Sequence, residues 1–153
     1  MSWFARRRTI SADLLADQLL EIMVGEAAGP PADEFCRDNA RIQAYHCEVK
    51  LYEQAVVMVA IIGYSRAHPE FEALLTEYLR KLTGVGPALN AAGARVVELI
   101  DPNGARKAPS WSMAWLQRIG LQETNVVRLS LFATYWVNKY IAVVKSLDDF
   151  RLS

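Results

Sequence analysis

A chain of 153 residues, 52% apolar and 22% charged, has room for one domain and little room for two. Folding at this size buries roughly 68–70% of the surface the unfolded chain exposes, so no metal or disulfide staple is required. Seventeen basic and seventeen acidic residues cancel, which removes the general attraction to nucleic acid or acidic membranes that a basic protein carries.

The cancellation hides an uneven distribution. Residues 9–77 hold four basic side chains (Arg37, Arg41, Lys50, Arg66) against twelve acidic ones, a balance of −8. Residues 78–153 hold ten against five, a balance of +5. Such a split allows the halves to dock on each other, or copies of the chain to meet head to tail. Solvated helix faces account for it more simply, and that plainer origin is expected.

The chain opens with MSWFARRRTI, two aromatics followed by three arginines. Asp13, Asp17 and Glu21 interrupt any apolar core beyond Arg8, so neither an export signal nor a mitochondrial presequence is expected. Residues 1–10 therefore read as an N-terminal arm before a single helical domain over 11–153. Ser11 is placed to cap a helix that carries Asp13 in its first turn. Leu14, Leu15, Leu19, Ile22 and Met23 follow the helical period. GEAAGPP then breaks the pattern, and Pro31 suits a helix start.

A long helix is predicted near 32–66. Phe35, Ile42, Val49, Val56 and Gly63 lie seven apart, with Tyr45, Tyr52 and Val59 between them, and Asp38 as the exception. That is an a/d-type seam, and residues 55–62 are apolar on every side, so this helix enters the core from a more exposed end. AHP ends it, because the residue before a proline is pushed out of the helical region. A further helix starts at Pro69, with Glu70 and Glu72 early and Arg80 and Lys81 late, as the helix dipole favours. Its apolar face is Phe71, Leu74, Leu75, Tyr78, Leu79 and Leu82.

TGVGP closes that helix, and Pro87 opens another that runs to about Ile100. DPNGARKAP reads as a turn-rich loop, with no convincing strand hairpin anywhere in the chain. A short helix over SWSMAWLQRI and a central, nearly all-round apolar helix near 122–147 complete an all-α, single-domain bundle of about six helices. The two most apolar segments, 55–64 and 129–144, fall short of the 20 or so residues a membrane span needs; the second contains Asn138 and Lys139. Cys36 and Cys47, if on one helix, stand about 16.5 Å apart along its axis, too far for a disulfide. Reduced thiols and a cytoplasmic location follow.

Chemistry is sparse. AYHCEVKLYE (44–53) is the richest cluster, but helical geometry sends His46 toward Lys50 and Glu53 while Cys47 and Glu48 point elsewhere. Gln43 and Ser65 precede the two histidines by three residues, so the Glu-x-x-His pairs of di-iron bundles are missing. His68 is expected only to cap a helix or face solvent. No nucleophile elbow, Cys-x-x-Cys or phosphate-cradling glycine loop is present. The helix after TGVGP offers only Asn90 and Arg95 as polar readers, too few for DNA. No catalytic residue, metal site or cofactor is assigned.

The expectation is a cytoplasmic bundle acting through protein–protein contacts, as an oligomer or assembly component, and not as an enzyme. Trp3, Phe4, Trp111 and Trp115 are the candidate interface, because aromatic side chains bury much area at modest entropic cost. One alternative is a small-molecule-binding protein or enzyme with an interhelical pocket at Tyr45, His46, Tyr52 and Trp136. A weak peripheral membrane attachment through residues 1–8 is the other. Nucleic acid is not an expected partner.

Overall fold

In a computed structural model the described residues are 7–25, 39–83, 88–101, 104–105 and 126–153. They are mostly helical. The order is β1 (Arg8–Ile10), α1 (Ala12–Gly25), α2 (Asn39–Ala67), a 3₁₀ turn (Pro69–Phe71), α3 (Glu72–Thr83), α4 (Ala88–Leu99), β2 (Ile100–Asp101), β3 (Gly104–Ala105), α5 (Val126–Asp148) and β4 (Phe150–Leu152). The expected short helix over 110–119, and the expected helix starts near 32 and 122, lie outside the described residues.

Local signals account for the helix boundaries. The Leu14 amide donates to Ser11 Oγ at 3.2 Å, so Ser11 caps α1 as the sequence indicates. The Ala67–Pro69 stretch stops α2, and the Pro69 ring leads into the 3₁₀ turn that winds into α3. His68 forms no side-chain cap there, and of its two expected roles it takes the partly solvent-facing one, with its side chain 34% exposed. Its ring stacks on Tyr64, with centroids 4.4 Å apart, because the turn folds it back over the end of α2.

α2 is the helix at the centre, packed against α1, α3, α4 and α5. Every residue from Ala55 to Ile61 is buried, and Val49, Tyr52, Val56 and Val59 of the seam point inward. Gly63 continues that seam where α5 comes close, and a Cβ at that position would stand 3.2 Å from Tyr140 Oη. The core adds Leu15 and Leu19 from α1, Phe71, Leu74, Tyr78 and Leu82 from the α3 region, and Val143 and Leu147 from α5. Burial of each such aliphatic side chain contributes about 1.5–3 kcal/mol.

Two expectations about helix faces are corrected. Over its described side chains, 134–148, the last helix is not apolar all round, because Thr134, Asn138, Ile141, Ala142 and Lys145 form a solvent stripe. Ile141 is 42% exposed within that stripe, so apolar composition overstated the burial of this helix. Leu14, assigned to the buried face of α1, is 56% exposed: Leu15 and Leu19 already fill the inward positions, one residue out of phase with it.

The chain also contains strands. β2 and β3 form an antiparallel pair with Ile100 opposite Ala105 and Asp101 opposite Gly104. β1 and β4, from the two ends of the chain, pair in parallel with Arg8 opposite Phe150, Thr9 opposite Arg151 and Ile10 opposite Leu152. The Arg8 amide donates to Asp149 O at 2.9 Å and the Ser153 amide to Ile10 O at 3.0 Å. Ile10, Phe150 and Leu152 pack on the core below, so the ribbon clasps the ends of the chain against the bundle.

Candidate functional site

The sequence-derived pocket residues divide in two. Tyr52 and Trp136 are both wholly buried, and their rings meet with centroids 5.7 Å apart, tilted by 43°. Tyr45 and His46 have their backbone in α2, but their side chains lie outside the described ones. The candidate interface residues Trp3, Phe4, Trp111 and Trp115 also lie outside the described residues.

Around Tyr52 and Trp136 the fold assembles polar groups that the sequence reading did not assign to the pocket. Glu53, the next residue of α2, is wholly buried. Tyr135 of α5 donates its hydroxyl to Glu53 Oε1 at 3.0 Å. Lys139, one helical turn further on, places Nζ 3.8 Å from the same oxygen and 5.8 Å from the centroid of the Tyr135 ring. On α3, Tyr78 is a wholly buried phenol whose hydroxyl has no hydrogen-bond partner among the described residues. Burial first, and then the charge of Glu53, hold that phenol well above the ordinary tyrosine range.

Two helices, α2 and α5, therefore meet at one carboxylate. A group of this kind is costly to bury unless hydrogen bonds and opposite charge accompany it, and Tyr135 and Lys139 supply both. The signal that could have located the junction is charge beside apolar positions: Glu53 directly follows the seam residue Tyr52 in α2, and Lys139 sits in the apolar stretch 129–144 of α5. Helical phase alone had placed Glu53 on the His46 face.

A second buried pair lies nearby on α2 and α4. Arg95 grips Glu48 with two hydrogen bonds, Nε to Oε2 at 2.9 Å and Nη2 to Oε1 at 2.7 Å. The fork raises the guanidinium pKa further, with the hydrogen bond to Glu48 as the main cause. Arg95, named above as a polar reader, is thus committed to an internal partner and only 8% exposed.

Among the described residues no three His, Cys, Asp or Glu side chains are grouped to hold a metal ion. Among them, too, no helix is long and apolar enough to cross a membrane. Cys47 is a free, exposed thiol. Comparison with known proteins adds no relative: no family model, no curated protein and no solved structure matches the chain.

Proposed function

We propose that the chain acts through protein–protein contacts in the cytoplasm, as a homo-oligomer or as a component of a larger assembly. The observation that supports this reading is the open edge of the β1–β4 ribbon. In the parallel register, Arg8 and Ile10 direct their backbone groups toward β4, so the N–H and C=O of Thr9 face away from it. Phe150 and Leu152 do the same on the far edge of β4, and no described strand lies against either edge. An open edge is a template for another chain, and the exposed Leu14 follows β1 by only a few residues. The exposed thiol of Cys47 suits a reducing compartment.

Sedimentation of the wild-type chain and of Thr9→Pro tests the reading. Proline at this position removes an outward N–H and leaves the ladder to β4 intact. Association that rises with concentration in the wild type and weakens in Thr9→Pro is the expected result. A strict monomer at high concentration removes the homo-oligomer half of the proposal.

A second reading, a small-molecule site between helices, is favoured by the meeting of Tyr52 and Trp136 beside the buried Glu53. Aromatic walls with a few convergent polar groups are what interhelical ligand sites are made of. The work assigned to this site is binding, since no nucleophile–base pair accompanies it among the described residues.

A further inference from the structure

We infer that β1 is the contact between two copies of this chain. The two strands run antiparallel, with Thr9 of each copy opposite Thr9 of the other across a two-fold axis; this rests on the oligomer reading above and names its partner and register. The first support is the backbone. The Arg8 amide and the Ile10 carbonyl are bonded within the ribbon. The groups that point away are therefore the Thr9 N–H and C=O, flanked by the Arg7 C=O and the Ser11 N–H. β4 is the only described element in extensive contact with β1, and Arg7, Arg8 and Thr9 are exposed. A ladder centred on Thr9 gives each Thr9 N–H the other copy's Thr9 C=O, and each Ser11 N–H the other copy's Arg7 C=O. The Ser11 carbonyl, held by the Leu15 amide at 3.0 Å, ends the ladder where α1 begins.

The second support is charge, which separates the two edges of the ribbon. In the register centred on Thr9, Arg8 stands opposite Ile10 and Arg7 opposite Ser11, so no like charges face each other. The far edge offers Phe150 and Leu152, and the antiparallel register that uses both sets Arg151 directly against Arg151 of the second copy. The register that sets Arg151 against Asp149 uses Phe150 alone, because the next ladder position, Asp148, belongs to α5. Like charges directly opposite destabilise a strand pair, and a charge on an edge strand guards it against pairing. β4 is thus guarded by Arg151, and β1 is not guarded. Pairing through β1 also brings Arg7 of one copy to Ser11 of the other, at the first turn of α1. That turn carries Asp13, which Arg80 and Lys81 engage through Oδ1 and which remains 53% exposed. The basic start of each chain therefore lies along the acidic start of the other's first helix.

The test places charge on the axis and reads association by sedimentation of the full chain at low ionic strength, where such charges are least screened. Thr9 is exposed, so Thr9→Glu and Thr9→Lys keep the fold, with helix content checked by circular dichroism. A residue that faces its own copy across the axis meets its like in either variant. Each variant alone therefore associates less than the wild type. The equimolar mixture sets Glu against Lys and associates about fivefold or more tightly than either variant alone. The wild-type mass levels off at that of a dimer. Leu152→Pro removes only an outward N–H of β4 from the backbone ladder and associates as the wild type does.

A wild type that stays a strict monomer at high concentration overturns both this contact and the homo-oligomer half of the reading above. Association left unchanged by Thr9→Glu, by Thr9→Lys and by their mixture overturns this contact and leaves that reading standing. Weakened variants that the mixture does not restore overturn the register, since Thr9 then does not face itself. Dissociation of Leu152→Pro with its helix content retained moves the contact to β4. A wild-type mass that climbs past the dimer overturns the closed two-fold pairing.

Discussion

Tyr64 shows how much one side chain near the end of α2 holds together. Its hydroxyl donates to Asp148 Oδ1 at 2.7 Å, its ring stacks on His68, and Phe71 meets it edge-on at 4.8 Å. Burial, and then the bond to Asp148, push its pKa up to about 12 from an ordinary value of 10. The folded state therefore keeps this proton after the unfolded chain has lost it. The resulting stability is fully present below pH 10 and is lost as the pH rises through about 12. Urea denaturation across that window will show a falling midpoint in the wild type, and in Tyr64→Phe a lower starting stability with a shallower fall. At this scale the candidate pocket was half legible. Tyr52 and Trp136 stood out as aromatics on apolar helix faces, whereas Glu53 and Lys139 meet only through the packing of α2 against α5, which no local spacing encodes.

Helices were legible as elements because each repeats its apolar positions over several turns and carries its own punctuation. Ser11, the Ala67–Pro69 stretch and the late Arg80 and Lys81 marked their boundaries. The strands were not legible, because their cause is distant. β1 is three residues long and finds its partner at Phe150–Leu152, so no alternation has room to develop. DPNG does carry a turn signal, but the paired strands around it are two residues each. The α2–α5 contact makes its own prediction. Gly63 lets Tyr140 approach so closely that a methyl group there is already tight. Gly63 is exposed, and only the hydroxyl end of the half-buried Tyr140 faces it. Gly63→Ala therefore displaces that end by a few tenths of an ångström. It will change the stability read from urea denaturation by no more than about 0.5 kcal/mol, with helix content retained.

Across the whole molecule the charge split has a use that solvated faces would not require. Asp13 pairs with Arg80 and Lys81, Asp17 with Lys81, Glu48 with Arg95, and Glu53 with Lys139. In each pair the acid comes from residues 9–77 and the base from residues 78–153, so the halves dock on each other within the chain. Their contributions differ with depth. The exposed pairs of α1 with α3 are screened by salt and add little. The Glu48–Arg95 fork, with side chains 15% and 9% exposed, is a different case. Glu48→Gln leaves the guanidinium buried without its counter-charge and will cost about 3 kcal/mol in chemical denaturation, whereas the same change at Asp17 will be nearly silent.

The parallel clasp also orders events in time. Residues 8–10 are made before every described helix, but their ladder partners at 150–152 are added only after all five. During translation, α1 and the early part of α2 are therefore free to pack while the backbone groups of β1 are hydrogen-bonded only to water. Closing so long a loop has a large entropic cost if done alone and a small one once the bundle has drawn the ends together. A chain that lacks residues 150–152 thus keeps the five described helices and leaves the first strand without its partner.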